Sequence, residues 1–250
     1  MSRTSRQVQG LPVPGPCALR LEVVPPQVCS FSCIHCAHGR TLQRTLDRAV
    51  WETPEALVAR VERRFLASRR ARDVCEFALA GGGEPTLHAR LGEVIERLRG
   101  LGLPVTVHTN GSLLWRPDVQ QDLARADRVV LSVCAGEPRL FEYVRRPVPG
   151  LGFDRIVEGW SSFRRGYPGR LEVEVVVLGI TAVDEDVRKT ASAVGGLKPD
   201  RVTLRTCAGV TAEPYAFPVQ DEALERFSPF FAPRAHLASS LPPCSPETLP

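Results

Sequence analysis

The stretch LRLEVVPPQVCSFSCIHCAHGRT, residues 19–41, joins a strand pattern directly to a loop that carries three closely spaced cysteines. Its first six residues alternate leucine and valine with polar residues, which favours a β-strand, and two prolines end that pattern. Cys29, Cys33 and Cys36 then follow with a C-x3-C-x2-C spacing. This one short segment therefore bears both on the fold of the chain and on its chemistry.

Strand and helix patterns alternate along the rest of the chain. Five further strand patterns are predicted, at 74–80, 104–109, 128–133, 171–179 and 201–206. Helix patterns follow them or lie between them, at 53–70, around 91–98, and at 117–125, 138–145, 154–165, 184–195 and 220–231. Regular βα alternation predicts an α/β fold with a parallel sheet and right-handed crossovers, either open or curled into a full or partial barrel.

The length fits one large α/β domain or two small ones, and a soluble protein is expected. At 250 residues the chain is long enough to bury a core without disulfides. We expect an N-terminal extension at 1–18, a core at 19–232 and a proline-rich tail at 233–250. The N-terminus lacks an apolar signal region and no later stretch is long enough to cross a bilayer, so a cytoplasmic protein without membrane contact is expected. In a reducing cytosol eight cysteines are unlikely to form a disulfide framework, and a close cluster favours metal binding or catalysis.

The charge gives little reason to expect a nucleic-acid partner. The formal net charge is only +4, and all but Lys189 and Lys198 of the 32 basic residues are arginine, which we attribute to genome composition. The short basic run at 68–72 lies at a predicted helix end, where cations suit the helix dipole. A solvated face is favoured over a nucleic-acid patch, so nucleic-acid binding remains unsupported.

Unusual residues follow the predicted strands at the point where each strand ends. After the first strand and its cysteine loop come GGGE at 81–84, Asn110, Cys134 and Cys207, which follow the second, third, fourth and sixth strands. The carboxyl ends of parallel strands meet at one edge of the sheet. We therefore expect a single site there.

The three cysteines of the loop allow two kinds of metal site. Thiolates select zinc, copper(I) or iron–sulfur clusters. Zinc needs four ligands, which His35 or His38 would complete, but the second spaced pair typical of zinc modules is missing. An iron–sulfur cubane normally takes four cysteines, so three would leave one iron open for chemistry.

Further motifs carry a family resemblance. After the next three strands stand GGGEPTLH at 81–88, HTNGSLL at 108–114 and VVLSVCAG at 129–136. Together with the cysteine spacing, this order resembles the radical S-adenosylmethionine (radical SAM) superfamily over residues 19–210. Within it, the chain is similar to small iron–sulfur oxidoreductases related to the wyosine-base tRNA enzymes. Because only Cys17 lies upstream of the motif, the second cluster of those tRNA enzymes is not expected here.

The resemblance implies a partial parallel (βα)6 barrel with one [4Fe-4S] cluster and S-adenosylmethionine (SAM). Cys29, Cys33 and Cys36 would ligate the cluster, and SAM would bind the fourth iron. The remaining implied contacts to SAM are Gly82, Gly83 and Glu84 at the methionine ammonium, Asn110 and Ser132 at the ribose or carboxylate, and His35 near the adenine. An electron donor such as flavodoxin or ferredoxin would reduce the cluster.

Two cysteines at strand ends have three alternative roles. Cys134 and Cys207 are interpreted as small buried hydrophobes, as a hydrogen-atom donor to a substrate radical, or, with Cys17 or Cys244, as ligands of a second iron–sulfur cluster. Cys75 begins a strand at the opposite end and is predicted to be structural.

Other polar residues are weaker candidates for the site. His38 and His88 are predicted near the mouth, more often as loop-bonding than as substrate-binding residues. Glu174 lies in an apolar strand and must face solvent or serve a ligand. An anionic substrate group is one partner for Arg145, Arg146 and Arg205, with surface salt bridges favoured for the first two.

The resulting function hypothesis is a radical SAM enzyme that abstracts a hydrogen atom from an unidentified small molecule, nucleotide or peptide. One alternative is an activase that installs a glycyl radical on a partner enzyme. The alternative from another class is a zinc-binding adaptor protein.

Overall fold

The computed structural model of the protein describes residues 17–67, 74–207, 209–233 and 235–237. Nine strands are found in these ranges. They are β1 Ala18–Leu21, β2 Val28–Cys29, β3 Gln43–Arg44, β4 Glu76–Leu79, β5 Val105–Thr109, β6 Arg128–Val133, β7 Arg170–Val177, β8 Arg201–Thr206 and β9 Ala235–Leu237.

Seven α-helices alternate with these strands in the described ranges. They are α1 Pro54–Ala67, α2 Leu91–Arg99, α3 Pro117–Leu123, α4 Pro138–Arg145, α5 Phe153–Gly166, α6 Asp184–Gly196 and α7 Asp221–Phe227. Thr53 caps α1, because its Oγ1 accepts a hydrogen bond from Ala56 N at 3.2 Å. The last predicted helix is instead α7 followed by a 3₁₀ turn at Ser228–Phe231, where Pro229 lacks the N–H that a continuing helix needs.

The main sheet confirms the predicted partial parallel barrel. Its strand order is β1-β4-β5-β6-β7-β8-β9, and every neighbouring pair is parallel. The first six of these are the six strands predicted from the sequence. Strands β2 and β3 form a separate parallel ladder that brackets the cysteine loop.

The seventh strand of the sheet was not predicted. Strand β9 pairs in parallel with β8, with Leu237 opposite Leu204, although it lies inside the segment 233–250 expected to be a tail. Three residues are too few to show an alternating pattern, and the prolines around them pointed to irregular chain. Residues 234 and 238–250 of the expected tail, and residues 1–16 of the expected extension at 1–18, lie outside the described residues.

The two faces of the sheet differ in chemistry. Residues such as Val107, Val129, Leu131 and Val173 alternate toward the helices and are at most 1% exposed. Their neighbours point to the opposite face, the inside of the partial barrel, which we call the lumen. The hydrophobic core therefore lies between sheet and helices, and the lumen is left for other side chains.

A disulfide joins Cys17 to Cys75 before the starts of β1 and β4. The expectation that the cysteines form no disulfide is wrong for this pair, because parallel pairing of β1 with β4 brings the two residues side by side. The bond lies at the end of the strands opposite the cysteine loop. Cys17 is therefore not placed to ligate a second cluster, and the structural role predicted for Cys75 agrees with its position.

Among the residues that the structure describes, no helix is long and apolar enough to cross a membrane.

Candidate active site at the carboxyl ends of the strands

The cysteine loop is held at the mouth of the barrel by backbone hydrogen bonds. Ile34 N donates to Val144 O at 3.0 Å, which fixes the loop against α4. Within the loop, Cys36 N donates to Cys33 O at 3.2 Å, which closes a tight turn and keeps these two cysteines close together. Cys29, Cys33 and Cys36 are all free thiols and all partly exposed.

Hydrogen-bond donors from the barrel reach the sulfurs of this loop. Asn110 Nδ2 donates to Cys29 Sγ at 3.4 Å, and Arg145 Nη1 donates to Cys33 Sγ at 3.6 Å. Burial is the main cause that raises the pKa of Cys36 to about 11. Soft thiolate donors with N–H groups directed at them are what an iron–sulfur cluster requires, so these residues fit one.

The geometry differs from that of a compact single-ion site. Among the described residues, no three His, Cys, Asp or Glu side chains are arranged to hold one metal ion. An iron–sulfur cubane spaces its thiolates around several irons, and so it uses a wider set of sulfurs than zinc does.

Glu84 braces two strand ends. Its Oε1 accepts from Thr86 N at 3.1 Å, Thr86 Oγ1 at 2.6 Å and Thr109 Oγ1 at 2.7 Å, while Oε2 accepts from Asn110 N at 2.8 Å. The side chain is 3% exposed, and burial raises the pKa of the carboxyl despite these bonds. Glu84 therefore ties the loop after β4 to the end of β5, and the sequence did not reveal this bracing role.

The glycines before Glu84 let the cysteine loop pack closely. A Cβ at Gly82 would lie 2.7 Å from His38 Nδ1, and one at Gly83 would lie 2.5 Å from the Pro25 carbonyl oxygen. Gly82 O also accepts from Gln27 N at 2.9 Å. A side chain at either position would push the segment around the cysteines away from the barrel.

Ser132 and Arg145 form one polar unit at the end of β6. Arg145 Nη2 donates to Ser132 O at 2.7 Å and to Ser132 Oγ at 3.1 Å. Arg145 is only 4% exposed, so the surface salt bridge favoured for it is not found. Arg146 does form a salt bridge, with Glu213 at 2.6 Å. A buried guanidinium beside Cys33 places a fixed positive charge where thiolates gather.

His35 and His88, two histidines near the mouth, have different surroundings. His35 Nδ1 is buried without a hydrogen-bond partner in the described structure, and burial, followed by Arg145 and Arg205, lowers the pKa of its imidazole. The imidazole is therefore neutral, and its role beside the adenine stays a prediction. In contrast, both ring nitrogens of His88 form hydrogen bonds with the backbone. Nε2 lies 3.0 Å from Glu52 O, and Nδ1 accepts from Arg90 N at 3.2 Å.

Cys134 and Cys207 are both 4% exposed and lie on different strand ends. Burial is the main cause that raises the pKa of Cys134 to about 11, so its thiol stays protonated. The Cys207 thiol donates to Ala216 O at 3.5 Å. Cys244 lies outside the described residues. Both described thiols thus have the burial expected of small hydrophobes.

The sequence reading missed the polar lumen. Arg20, His108 and Arg128 occupy alternate positions of β1, β5 and β6 on the face away from the helices. The signal was present, because strands such as LRLEV and RLEVEV place charges at every second residue. Glu174 was expected to face solvent or serve a ligand, and Arg20, His108 and Arg128 were given no role, whereas closure of the sheet turns these positions inward.

This fold and site define a radical SAM protein. The family model of the radical SAM superfamily matches residues 23–194, and the chain belongs to that family. It is 31% identical over 215 residues to a UPF0026 protein of Methanocaldococcus jannaschii, a match that covers 86% of this chain and 67% of that protein. It is also 29% identical over 230 residues to a protein named GTPase Obg of Brachyspira hyodysenteriae, but spans only 33% of that relative's length.

A solved structure, that of TYW1 with a lysine-pyruvate adduct bound, has the same fold. It superposes with a TM-score of 0.67 at 14% identity, over 86% of this chain and 73% of that one. The family implies a [4Fe-4S] cluster, SAM, a reductant and a substrate, so the protein is an enzyme. The hypothesis of a zinc-binding adaptor is overturned, and a second cluster gains no support.

Proposed function

We propose that Cys29, Cys33 and Cys36 ligate a [4Fe-4S] cluster and that the enzyme uses SAM to abstract a hydrogen atom from a small-molecule substrate bound in the lumen. The observation that carries this proposal is that three free cysteines of one loop lie at the mouth of the barrel with Asn110 and Arg145 donating to their sulfurs. When bound and reduced, the cluster supplies the electron that cleaves SAM to methionine and a 5′-deoxyadenosyl radical.

The residues around the cysteines position and charge this site. Arg145 places a cation beside Cys33 and holds Ser132, so an anionic centre there is electrostatically favoured. Glu84 and Asn110 keep the ends of β4 and β5 at a fixed distance from Cys29. We keep the backbone of Gly82 and Gly83 and the side chains of Asn110, Ser132 and His35 as the proposed contacts to SAM.

We assign Glu84 a positioning role in place of the contact to the SAM ammonium that the resemblance implied. Both carboxylate oxygens already accept hydrogen bonds from Thr86, Thr109 and Asn110. We therefore assign Glu84 chiefly to positioning, and the backbone carbonyls of the glycine loop to the methionine ammonium.

Substrate chemistry in this proposal takes place inside the barrel. In this proposal the substrate enters the lumen at the strand ends that carry the cysteine loop, and the barrel walls would keep bulk water from a reactive carbon radical. Cys134 is retained as the candidate hydrogen-atom donor, because its thiol is protonated and lies at the end of β6. A flavodoxin or ferredoxin is the proposed electron donor.

Iron and acid-labile sulfide analysis after anaerobic reconstitution tests the ligand assignment. We expect about four irons per chain in the wild type and in Cys134→Ala, and their loss in Cys33→Ala. Cys207→Ala is a second matched control, since it removes a thiol that does not belong to the loop. About eight irons, reduced to four in Cys134→Ala, would instead establish a second cluster.

The activase alternative stays a prediction. It requires a protein partner at the mouth, and no contact within the described residues favours it over a small-molecule substrate.

A further inference from the structure

The lumen of this barrel is lined by charged and polar side chains. Parallel barrels usually fill their interior with branched apolar residues. Here many inward positions hold charged or polar residues, among them Arg20, His108, Arg128, Glu174 and Arg205, and the apolar residues Ala78, Val130 and Val176 share the same face. Buried charges are costly unless they are paired or serve a ligand, so the pairing of each one is informative.

The floor of the lumen, at the start of the strands, is a closed network. Arg128 Nη2 forms an ion pair with Glu76 Oε2, and Thr106 Oγ1 donates to the same carboxylate at 2.8 Å. Glu172 Oε1 lies 2.8 Å from Arg170 Nε and 3.7 Å from Arg128 Nη1. The carboxylates of the floor therefore already have cationic partners.

Arg20, on the inward face of β1, is different. Its Nε donates only to the Ala80 carbonyl, at 3.3 Å, and its Nη2 is buried without a hydrogen-bond partner in the described part of the chain. Burial lowers the pKa of this guanidinium, and nearby Glu22 compensates only in part. Glu22 is itself engaged, since its Oε1 accepts from Gly82 N at 3.1 Å.

His108 lies near both Arg20 and Arg205, and we call these three residues the middle layer of the lumen. Both ring nitrogens of His108 are buried without a partner among the residues described, and the guanidiniums of Arg128, Arg20 and Arg205 all act on its ring. Arg205 Nε lies 2.7 Å from Glu174 Oε1, and its Nη1 donates to Thr206 O at 3.3 Å. Arg20 and Arg205 come from the first and sixth strands of the predicted core, so they approach His108 from opposite sides.

The charge in this layer favours an anion over a cation. Glu174 Oε1 is paired with Arg205 Nε, although Glu174 Oε2 has no hydrogen-bond partner, whereas Arg20 forms no salt bridge with the residues that the structure describes. A cationic ligand would meet these guanidiniums at close range in a medium of low dielectric, where repulsion is strong. An anion would satisfy the free N–H groups of Arg20 and a ring N–H of His108 together.

We propose that the substrate carries a carboxylate or phosphate group, which binds in the lumen between Arg20 and Arg205 and accepts a hydrogen bond from His108. This inference rests on the proposed function, because it places the substrate of that same reaction. A forked guanidinium suits either group, since both present two oxygens in one plane. The substrate class is thus a small anionic metabolite held by its charged end at the middle of the barrel.

Calorimetric titration with two simple probes tests this inference. Inorganic phosphate and acetate are titrated separately into the reconstituted full chain with SAM present, so that any site for the SAM carboxylate is filled. We expect one of the two anions to bind, at least about tenfold more weakly in Arg20→Gln, because a charge-assisted hydrogen bond is lost. Arg20→Lys keeps the charge without the fork and should give an intermediate loss.

Arg139→Gln is the matched control, since Arg139 is exposed on α4 and its replacement removes the same charge from the surface. It should change anion affinity less than about twofold. Thermal unfolding of each variant establishes that it is folded. As a readout independent of affinity, the ¹⁵N resonances of His108 should shift on anion addition in the wild type and stay in place in Arg20→Gln.

Three outcomes would overturn the inference. The first is that neither anion binds the wild type, and the second is that Arg20→Gln and Arg139→Gln bind the anion equally well. The third is that binding disappears when SAM is added, because the anion would then occupy the SAM site. If the same wild-type preparation forms 5′-deoxyadenosine but binds no anion, the lumen inference fails and the proposed function stands. If an anion binds through Arg20 but no SAM is cleaved, the lumen inference stands and the proposed function fails.

Discussion

The carboxylate of Glu84 accepts the backbone N–H of Asn110 at 2.8 Å, and the amide of Asn110 in turn donates to Cys29 Sγ at 3.4 Å. A buried residue of the glycine loop is thereby connected to a proposed cluster ligand through one intermediate residue. Ser30 is joined to the same amide at 3.0 Å, which fixes the cysteine loop at a second point. The position of the first cysteine thus depends on the loop after β4.

Replacing Glu84 should reduce the free energy of unfolding markedly. Glu84→Ala leaves the N–H of Asn110 and the hydroxyls of Thr86 and Thr109 without their shared acceptor, at a cost of about 2–4 kcal/mol. Glu158→Gln, on the exposed face of α5, is the control and should stay within about 0.5 kcal/mol of the wild type. Chemical denaturation measures both, and equal stability of the two variants would show that Glu84 does not brace the site.

Removing the charge of Arg145 should make the cluster harder to reduce. Arg145→Gln takes a buried cation away from Cys33, and the potential of an iron–sulfur cluster falls when nearby positive charge and hydrogen bonds to sulfur are lost. A redox titration followed by electron paramagnetic resonance should show a more negative midpoint, with Arg145→Lys in between. An unchanged midpoint in Arg145→Gln would mean that this guanidinium does not act on the cluster.

Stability should rise with pH between about 5 and 7, in part because of His108. Burial, followed by Arg128, Arg20 and Arg205, lowers the pKa of His108 to about 3 from an ordinary 6.5. Below pH 6.5 the unfolded chain therefore binds a proton that the folded chain does not, which favours unfolding by about 2 kcal/mol at pH 5 relative to pH 7.

The variant His108→Gln should flatten this dependence without abolishing it, since the pKa of His35 is lowered in the same direction. Urea unfolding at several pH values provides the measurement. A wild-type slope in His108→Gln would show that this imidazole is not held neutral by the lumen.

The Cys17–Cys75 disulfide should stabilise the fold without serving the active site. The double variant Cys17→Ser/Cys75→Ser removes a crosslink across a sequence separation of 58 residues and should lower stability by about 2–4 kcal/mol. Its iron content should equal that of the wild type, because the pair lies at the opposite end of the strands. Loss of iron in this variant would contradict this separation and indicate that Cys17 or Cys75 contributes to cluster binding.

Much of the fold was predictable from local pattern, and much of the site was not. Six strands followed from apolar runs bounded by glycine and proline, and the cysteine loop followed from the C-x3-C-x2-C spacing. The short strand Ala235–Leu237 was missed because its pairing with β8 is a tertiary contact with no periodic signal. The roles of Arg20 and His108 also depend on closure of the sheet, which decides whether an alternating charge faces water or the lumen.

Reductive cleavage of SAM tests the central claim most directly. Reconstituted wild type is incubated anaerobically with dithionite and SAM, and 5′-deoxyadenosine is quantified beside Cys36→Ala and the control Cys207→Ala. We predict product from the wild type and from Cys207→Ala, and none above background from Cys36→Ala, because the loop cysteines hold the cluster that reduces SAM. Equal product from Cys36→Ala, or none from wild type that carries about four irons per chain, would contradict the account.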